Sequence, residues 1–300
     1  MNMKAHEKRW TLLELLNWTT EYFDEKGIEN ARLNAELLLS EVTGMERVML
    51  YARFEKVIPE EQRNDFRRLV SRRADRCPVQ YILGNTEFYG REFKVSPAVM
   101  IPRQETEQVV DKCLEKLPEN CDGILAADVG TGSGAIAVTL AREKPQLRMI
   151  ATDSSSDALG IAAENARRHG VEDRIRFEEG HLCEPIENLS EQGETPLYLL
   201  ASNPPYIPSN EIENLQPEVK DFEPRKALDG GEDGLAAIRE LLPLGAKLLT
   251  SDGWFVLEVG EGQADDVREY IRETDNLNGD NVEITKDLGG HKRVLAAQKN

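Results

Sequence analysis

The sequence has no long hydrophobic run and few cysteines. No stretch approaches the roughly 18 apolar residues of a membrane span, and the first ten residues contain no apolar signal core. The four cysteines form no C-x-x-C pair, and no histidine lies near them at metal-ligand spacing. We therefore expect a soluble, cytoplasmic protein with free thiols, no metal site and no membrane partner.

Basic residues are also in short supply. The chain carries 37 lysines and arginines against 55 aspartates and glutamates, which gives a net charge of −18 and a pI near 4.8. A surface that follows the phosphates of duplex DNA needs a dense basic footprint, so the composition argues against DNA as the partner. A protein partner fits this charge better, and no direct nucleic-acid contact is required.

The length of 300 residues suggests two domains at about 150 residues each. Apolar residues recur at helical spacing up to about residue 76, which predicts a helical bundle at 1–76. Its last helix is rich in arginine, which stands out in an acidic chain. A solvated helix face is the simpler interpretation, and docking to RNA or to an acidic partner is the alternative. The arginines are Arg63, Arg67, Arg68, Arg72, Arg73 and Arg76.

The residue pattern changes from helical spacing to short alternating segments in residues 77–101. The short segments P-V-Q-Y-I-L-G, E-F-Y-G and F-K-V alternate and are split by Gly84 and Gly90, which predicts a β-hairpin linker. Pro102 then precedes an acidic turn, as at a conventional helix start. The second domain is therefore expected to extend over residues 102–300.

Apolar strands alternate with helices through most of the second domain. This alternation predicts an α/β fold with a doubly wound, mainly parallel sheet of seven strands. The predicted strands are Ile124–Val129, Met149–Thr152, Ile175–Phe177, Leu197–Ala201, Trp254–Val259, Val282–Ile284 and Val294–Ala297. The predicted helices are Ala135–Arg142, Ser156–His169, Leu235–Leu249 and Gln263–Thr274.

A glycine-rich motif, A-D-V-G-T-G-S-G-A-I-A, joins the first of these strands to a helix. Its glycines allow a tight turn and a close approach of a ligand to the backbone, and the amides of the helix can bind polar groups. The spacing is typical of a nucleotide-type cofactor loop, and it fits a dinucleotide as well as S-adenosylmethionine. The candidate cofactor contacts here are Asp128, Gly130, Thr131, Gly132, Ser133 and Gly134.

Asp153 ends the next predicted strand, about 20 residues past the glycines, where a carboxylate can reach ribose hydroxyl groups. The alternative role is a helix N-cap, because S-S-S-D and a helix follow. Ser154, Ser155 or Ser156 can cap equally well, which favours the ribose contact for Asp153.

The fourth predicted strand runs directly into a rigid polar turn, N-P-P-Y. Pro204 and Pro205 fix their own φ at about −65° and restrict the residues before them. Because ligands bind outside the carboxyl ends of parallel strands, this turn and the glycine loop should face one cleft. Asn203 and the carbonyl oxygen of Pro204 offer two acceptors to a planar NH2 group, and Tyr206 can stack on that group or pack as a support.

The turn suits chemistry on an amide nitrogen, a poor nucleophile because its lone pair is delocalised. Two acceptors hold both N–H bonds and orient the nitrogen for in-line attack on a sulfonium methyl, drawing on the roughly 7–11 kcal/mol available from proximity and orientation. The proton becomes acidic only as the C–N bond forms, so no strong base is needed beforehand. The catalytic candidates are Asn203, Pro204 and Tyr206; Pro205 joins them as a substrate contact, and Asn203 also borders the cofactor.

Together these motifs resemble a known family. An acidic residue before G-x-G-x-G is similar to the first motif of class I S-adenosylmethionine methyltransferases, where it helps to position the loop and the methionine ammonium. N-P-P-Y resembles the motif of methyltransferases that act on planar nitrogen. With I-P-R-Q-E-T-E, F-E-P-R-K-A-L-D-G-G-E-D-G-L and D-L-G-G-H-K-R-V-L, the chain from Pro78 to Leu295 resembles the HemK/PrmC family of release-factor glutamine methyltransferases.

This resemblance implies a class I methyltransferase fold, S-adenosylmethionine as cofactor and class I peptide chain release factors as partners. The implied product is N5-methylglutamine in their Gly-Gly-Gln loop, and the N-terminal bundle is implied to dock the release factor. Two positions depart from the family pattern. G-H-L replaces G-D-L or S-D-W near the adenine, which leaves Leu182 as an apolar wall and His181 as a hydrogen-bond partner or an exposed residue. The family's P-R-P is P-R-Q here, at Gln104.

Four other functions compete with this interpretation. A ribosomal-protein glutamine methyltransferase shares the fold and N-P-P-Y. An adenine-N6 methyltransferase on nucleic acid is disfavoured by the charge balance and by the lack of a target-recognition insert. A non-catalytic cofactor-binding adaptor has no need for an amine socket, and a dinucleotide oxidoreductase would need an acid–base pair that the sequence does not show.

Overall fold

The computed structural model describes residues 9–191 and 196–300. The chain divides into two compact units. The first comprises the described residues up to Gly84 together with Pro217–Phe222, and the second comprises Asn85–Gln216 and Glu223–Asn300. The first unit therefore extends past the predicted boundary at residue 76 and includes a short segment from far along the chain.

The first unit is a bundle of helices. Thr11 and Glu14 begin the first helix with a capping box, in which the Thr11 side chain accepts from the Glu14 N–H and the Glu14 carboxylate accepts from the Thr11 N–H. Phe23, Leu38 and Phe66 are buried between the helices. The helices are α1 (Leu12–Glu25), α2 (Ala31–Thr43), α3 (Arg47–Ala52), α4 (Glu60–Ala74), α5 (Val79–Leu83) and α10 (Pro217–Lys220).

One segment of this unit corrects the sequence prediction. P-V-Q-Y-I-L-G was expected to form a strand, and Val79–Leu83 is a helix that Pro78 precedes and Gly84 ends at φ +78°. Five residues are too few for alternation to distinguish a strand from a helix. The proline before the segment and the glycine after it are helix boundaries, and they decide its structure.

Arg73 in α4 and Arg76, just after its end, both bind the short helix α10. The two carboxylate oxygens of Glu218 accept hydrogen bonds from Arg73 at 2.8 Å and from Arg76 at 2.7 Å. The side chain of Arg73 is only 6% exposed, and its Nε donates to Asn34 at 2.8 Å. These two side chains are therefore part of the packing of the first unit rather than a solvated face.

The second unit begins with a β-hairpin and continues as the predicted doubly wound fold. Its seven strands lie in the order β5-β4-β3-β6-β7-β9-β8, and all neighbours are parallel except β9, which is antiparallel to both β7 and β8. The strands are β1 (Asn85–Phe88), β2 (Arg91–Lys94), β3 (Leu125–Val129), β4 (Arg148–Asp153), β5 (Ile175–Glu179), β6 (Leu197–Ser202), β7 (Leu249–Glu258), β8 (Glu283–Lys286) and β9 (Lys292–Gln298). The helices are α6 (Glu107–Lys116), α7 (Ala135–Glu143), α8 (Ser156–Arg168), α9 (Glu184–Glu191), α11 (Ala236–Leu248) and α12 (Ala264–Glu273).

The sheet is buried on both faces. Alternate residues of β3 enter two different hydrophobic clusters, with Ala126 in one and Leu125 and Ala127 in the other. The first cluster includes residues of α6 and α7, and the second includes residues of α11 and α12. This double burial explains why the central strands read as continuous apolar runs in the sequence.

The helix expected directly after Pro102 begins later. A 3₁₀ turn at Gln104–Thr106 comes first, and α6 starts at Glu107. The residues on either side of Pro102 are fixed by Glu223. Its buried carboxylate accepts hydrogen bonds from the backbone N–H of Ile101 and, at 2.6 Å, from the guanidinium of Arg103.

Among the described residues, no helix has the length and hydropathy needed to cross a membrane.

The register of the sheet aligns the ends of four strands. Val129 of β3 pairs with Thr152 of β4 on one side and with Ser202 of β6 on the other. Ser202 pairs in turn with Leu257 of β7. The segments that follow these strands therefore leave the sheet at one edge and lie side by side.

Candidate functional site

A cavity of about 870 Å³ lies at this carboxyl edge, within the second unit. Its position is the usual one for ligand sites in open α/β sheets. Most of the predicted site residues line it, namely Gly130, Thr131, Gly132, Ser133, Asp153, His181, Leu182, Asn203 and Pro205. The other four do not lie on its wall; they are Asp128, Gly134, Pro204 and Tyr206.

The glycine loop presents bare backbone to the cavity. Gly130 and Gly132 have φ values of +75° and +55°, and a Cβ on either one would meet no atom within 4 Å. A side chain there would therefore project into open space that a ligand can use. Gly134 is needed for packing. A Cβ at this position would lie 3.1 Å from the Cβ of Ala162, so the absence of a side chain lets α8 pack closely against the loop.

Asp128 fixes the glycine loop through hydrogen bonds to its side chains and backbone. It is buried, and its Oδ2 accepts from the hydroxyl of Thr131 at 2.6 Å and from the backbone N–H of Ala137 at 3.1 Å. Its Oδ1 has no hydrogen-bond partner among the described residues. Burial raises the pKa of this carboxyl group to about 6. This geometry supports the expected role in positioning the loop and leaves one buried acceptor beside it.

Asp153 connects the end of β4 to the glycine loop. Its Oδ2 accepts from the backbone N–H of Gly132 at 2.9 Å, and its Oδ1 accepts from that of Ser155 at 3.0 Å. The N-cap of α8 is Ser155, whose side chain accepts from the N–H of Ala158 at 3.2 Å, so the prediction that a serine caps this helix is confirmed. Asp153 is therefore not the cap, and desolvation raises the pKa of its carboxyl group.

The G-H-L segment forms another part of the wall. Leu182 has φ +46°, and its carbonyl oxygen accepts from the hydroxyl of Thr152 at 3.0 Å. The Nε2 atom of His181 lies 2.8 Å from a carboxylate oxygen of Glu240, and about half of the His181 side chain is exposed. Both residues line the cavity, and the role of Leu182 as an apolar wall stays a prediction.

The N-P-P-Y turn places the side chain of Asn203 on the cavity wall. The side-chain Nδ2 of Asn203 donates to the hydroxyl of Thr106 at 3.0 Å, which leaves Oδ1 as the remaining polar atom of the amide. Within residues 9–191 and 196–300, no group donates a hydrogen bond to that Oδ1 or to the carbonyl oxygen of Pro204. Asn203 lies on the cavity wall and Pro204 does not, so the second predicted acceptor stays a prediction.

Tyr206 supports the turn from the opposite side. Its hydroxyl group donates to Glu258 at 3.3 Å, and its ring does not line the cavity. Gln263 fixes the backbone here, because its Nε2 donates to the carbonyl oxygen of Tyr206 at 2.9 Å while its Oε1 accepts from the N–H of Gly260 at 2.9 Å. Of the two roles predicted for Tyr206, this placement favours the support.

Sequence reasoning did not single out Thr106, Glu258 or Gln263. Thr106 lies inside the I-P-R-Q-E-T-E motif, and Glu258 is the one charged residue in W-F-V-L-E-V-G. An acidic side chain at the end of a buried strand was the signal available for Glu258, because buried charges need a reason.

The residues of the cavity fit a nucleoside-type cationic ligand. The volume lies within the usual range of small-molecule sites, about 300–1,000 Å³. The bare glycine backbone can approach a ligand closely, and Asp153 presents a carboxylate at the position from which ribose is bound. The acidic groups at Asp128 and Asp153 favour a positive charge nearby.

Comparison with known proteins gives concordant results for both units. Residues 14–84 match the family described as the PrmC N-terminal domain, and residues 105–193 match a family described as a precorrin methyltransferase domain. The release factor glutamine methyltransferase of Geobacter sulfurreducens is 45% identical over 258 residues, which cover 86% of this chain and 87% of that protein. The corresponding enzyme of Rhodopirellula baltica is 37% identical over 298 residues, or 98% of each.

The fold also has counterparts among solved structures. A methyltransferase from Pyrococcus furiosus is 17% identical and aligns over 71% of this chain and 91% of its own, with a TM-score of 0.51. At this identity the likeness concerns the fold alone.

Proposed function

This chain belongs to the release factor glutamine methyltransferases, and from that premise we propose that it methylates the glutamine of the Gly-Gly-Gln motif in class I peptide chain release factors. The methyl donor is S-adenosylmethionine. The acceptor is the side-chain amide nitrogen, and the product is N5-methylglutamine.

The observation that carries the proposal is the arrangement of acceptors at the N-P-P-Y turn. The NH2 group of Asn203 is engaged by Thr106, so the side chain offers its oxygen to the cavity wall. The carbonyl oxygen of Pro204, which accepts no hydrogen bond from the described residues, is proposed as the second acceptor. A primary amide has two N–H bonds in one plane, and this pair of acceptors matches it.

The cofactor is assigned to the glycine-loop side of the cavity. Gly130 and Gly132 would allow its close approach, Asp153 would bind the ribose hydroxyls, and Leu182 would lie beside the adenine. When bound, S-adenosylmethionine supplies an electrophilic methyl group on a sulfonium.

The protein residues act by orientation and exclusion rather than by strong base catalysis. The acceptors at Asn203 and Pro204 fix the plane of the substrate amide and draw electron density toward its nitrogen as the C–N bond forms and the C–S bond breaks. The nitrogen loses a proton only as it becomes positively charged, so water at the mouth of the cavity is a sufficient acceptor. Holding the two reactants in line can supply about 7–11 kcal/mol of the barrier reduction.

The first unit is proposed to dock the release factor. It matches the PrmC N-terminal domain from residue 14 to 84. Large apolar side chains lie exposed on it, and protein interfaces are rich in aromatic residues of this kind. They include Trp18, Val48, Tyr51 and Phe54, each at least 45% exposed.

The test is methyl transfer from labelled S-adenosylmethionine to a purified release factor. We expect label at the Gly-Gly-Gln glutamine, located by mass spectrometry. We expect Asn203→Ala to abolish transfer while cofactor affinity, measured by calorimetry, is retained. If a release factor with that glutamine changed to alanine is labelled equally well, the proposed substrate is wrong; label on a ribosomal protein instead would favour the ribosomal-protein alternative.

A further inference from the structure

A groove of about 330 Å³ lies between α1 and α4, entirely within the first unit. It shares no lining residue with the cavity of the second unit. The buried apolar side chains of Leu15, Phe66 and Val70 line it. Its volume is at the lower end of the range for ligand sites, about 300–1,000 Å³, which suits an inserted side chain better than a whole cofactor.

The α1 side of the groove is aromatic. Trp18 and Tyr22 lie one helical turn apart and both line it, and their rings stack with centroids 5.2 Å apart at an interplanar angle of 16°. The ammonium group of Lys26 lies 5.7 Å from the centroid of the Tyr22 ring. Trp18 is therefore held in place although it is 49% exposed. A partner that covers this side chain loses little conformational entropy in ordering it.

The α4 side of the groove is basic. Arg63 and Arg67 lie one helical turn apart and both line it. Arg63 donates to the carbonyl oxygen of Ile58 at 3.0 Å, and Arg67 donates to the side-chain oxygen of Asn64 at 3.2 Å. Both acceptors are neutral, and each guanidinium has five N–H donors, so donors remain on both. No acidic side chain lines the groove in the part of the chain that the structure describes.

This lining is complementary to a large apolar side chain with a carboxylate next to it. Guanidinium groups bind carboxylates through charge-assisted hydrogen bonds, and tryptophan, tyrosine and arginine contribute most to the affinity of protein interfaces. RNA would need a denser basic surface than two arginines provide. A second copy of this chain would bring a net charge of −18 to a chain of the same charge, and the two would repel each other. A protein partner with an acidic segment fits best.

We propose that the α1–α4 groove docks an acidic segment of the release factor, holding one of its large apolar side chains against Trp18 while Arg63 and Arg67 pair with an adjacent carboxylate. This inference rests on the proposed function and narrows the docking role of the first unit to one site. It also divides the arginine-rich helix between two uses. Arg73 and Arg76 serve packing within the unit, and the arginines of the groove serve the partner.

The first test is equilibrium binding of a purified release factor to the full chain, measured by calorimetry without methyl transfer. We expect the double variant Arg63→Gln/Arg67→Gln to bind at least about tenfold more weakly, because hydrogen bonds between charged groups are lost. Trp18→Ala should also weaken binding by about tenfold or more, as for a central interface residue. Added salt should weaken binding to the wild type more than binding to the double variant.

Each variant has a matched control in the same helix. Arg68→Gln/Arg72→Gln removes the same charge from the same helix, and neither residue lines the groove. Leu13→Ala removes an apolar side chain of α1 that is 38% exposed and lies outside the groove. Both controls should bind the release factor with wild-type affinity. Groove variants that bind as tightly as these controls would overturn the inference.

The second test is steady-state methyl transfer at saturating cofactor. The groove variants should raise the KM for the release factor by the same factor as they weaken binding and should keep kcat, because the groove is occupied equally in the ground state and in the transition state. If the wild type binds the release factor through the groove and does not methylate it, the proposed function fails and the inference holds. If methylation proceeds with the same KM in the groove variants, the function holds and the inference fails.

The same variants test other occupants of the groove. A polyuridine oligonucleotide that binds the wild type and not Arg63→Gln/Arg67→Gln would overturn the choice of a protein segment. A dimer in sedimentation experiments that Trp18→Ala dissociates would assign the groove to a second copy of the chain instead. A wild-type protein that binds no release factor would also refute the inference.

Discussion

The carboxylate of Asp153 accepts a hydrogen bond from the backbone N–H of Gly132 at 2.9 Å, joining the end of one strand to the loop after the neighbouring strand. Its other oxygen holds the N–H of Ser155 at the start of α8. One side chain thus sets the position of the glycine loop and of the helix that packs on it. The remaining lone pairs of the carboxylate are available to a ligand in the cavity.

Asp153→Ala should weaken the binding of S-adenosylmethionine by about 1.5–3 kcal/mol, the usual worth of a hydrogen bond to a charged group. Calorimetry measures this loss directly. Ser155→Ala provides the contrast for stability, because it removes the helix cap and should lower the free energy of unfolding by about 1 kcal/mol. Unchanged affinity in Asp153→Ala would restrict this residue to holding the loop.

Gly234→Ala should damage the N-P-P-Y turn. The added Cβ would clash with the carbonyl oxygen of Tyr206 and would lie 2.5 Å from the Nε2 of Gln263, so the turn or the glutamine must move. We expect kcat for methyl transfer to fall by about 100-fold, since small displacements of a positioning group have effects of this size. Transfer kinetics with a release factor measure the effect.

The control for Gly234→Ala is Gly170→Ala. Gly234 and Gly170 have φ values of +78° and +64°, so alanine is strained at both, by about 1–2 kcal/mol. A Cβ at Gly170 meets nothing within 4 Å. Both variants should therefore lose stability in denaturant unfolding, and only Gly234→Ala should lose activity. Equal activities would show that the turn tolerates the contact.

The central fold follows from the sequence because each strand is a compact apolar run between turn residues. The predicted strand Met149–Thr152 is observed as Arg148–Asp153, and Leu197–Ala201 as Leu197–Ser202. The strand β7 starts at Leu249, five residues before its predicted start at Trp254. The intervening T-S-D-G has turn composition, and pairing with β6 across an irregular register overrides it.

The candidate site was predictable where a local motif carries it. The glycine loop and Asn203 each depend on a few consecutive residues whose types restrict the backbone. Thr106 and Asn203, in contrast, are 97 residues apart in the chain and meet through one hydrogen bond. A single threonine has no spacing or periodicity, so only the packing of the 3₁₀ turn beside the sheet edge identifies its role.

Glu258→Gln should change how stability depends on pH. The folded-state pKa is about 7 against 4.5 for an unperturbed glutamate, so between these values the folded protein binds more protons than the unfolded chain. Its contribution to the free energy of unfolding therefore falls as the pH rises through this window. Glu258→Gln has no group that titrates here, so its free energy of unfolding should not fall in this way. Relative to the wild type, it should rise by up to about 3 kcal/mol from the lower to the upper end of the window, at about 1.4 kcal/mol per pKa unit. Denaturant unfolding of the cofactor-free protein at both ends of the window measures it, and a difference that is independent of pH would contradict the raised pKa.

Glu218→Gln should destabilise the first unit. The change removes the charge that pairs with Arg73 and Arg76, and the Arg73 side chain is 6% exposed, so its guanidinium loses its counter-charge in a poorly solvated site. The expected cost is about 3 kcal/mol, at the lower end for breaking a buried pair because the Nε of Arg73 keeps its bond to Asn34. The exposed pair of Arg68 with Asp65 gives the control, and Asp65→Asn should cost less than about 1 kcal/mol. Denaturant unfolding followed by a probe in the first unit distinguishes the two. If both variants lose little and equal free energy of unfolding, the pairing of Glu218 with Arg73 and Arg76 contributes no more than a solvent-exposed ion pair.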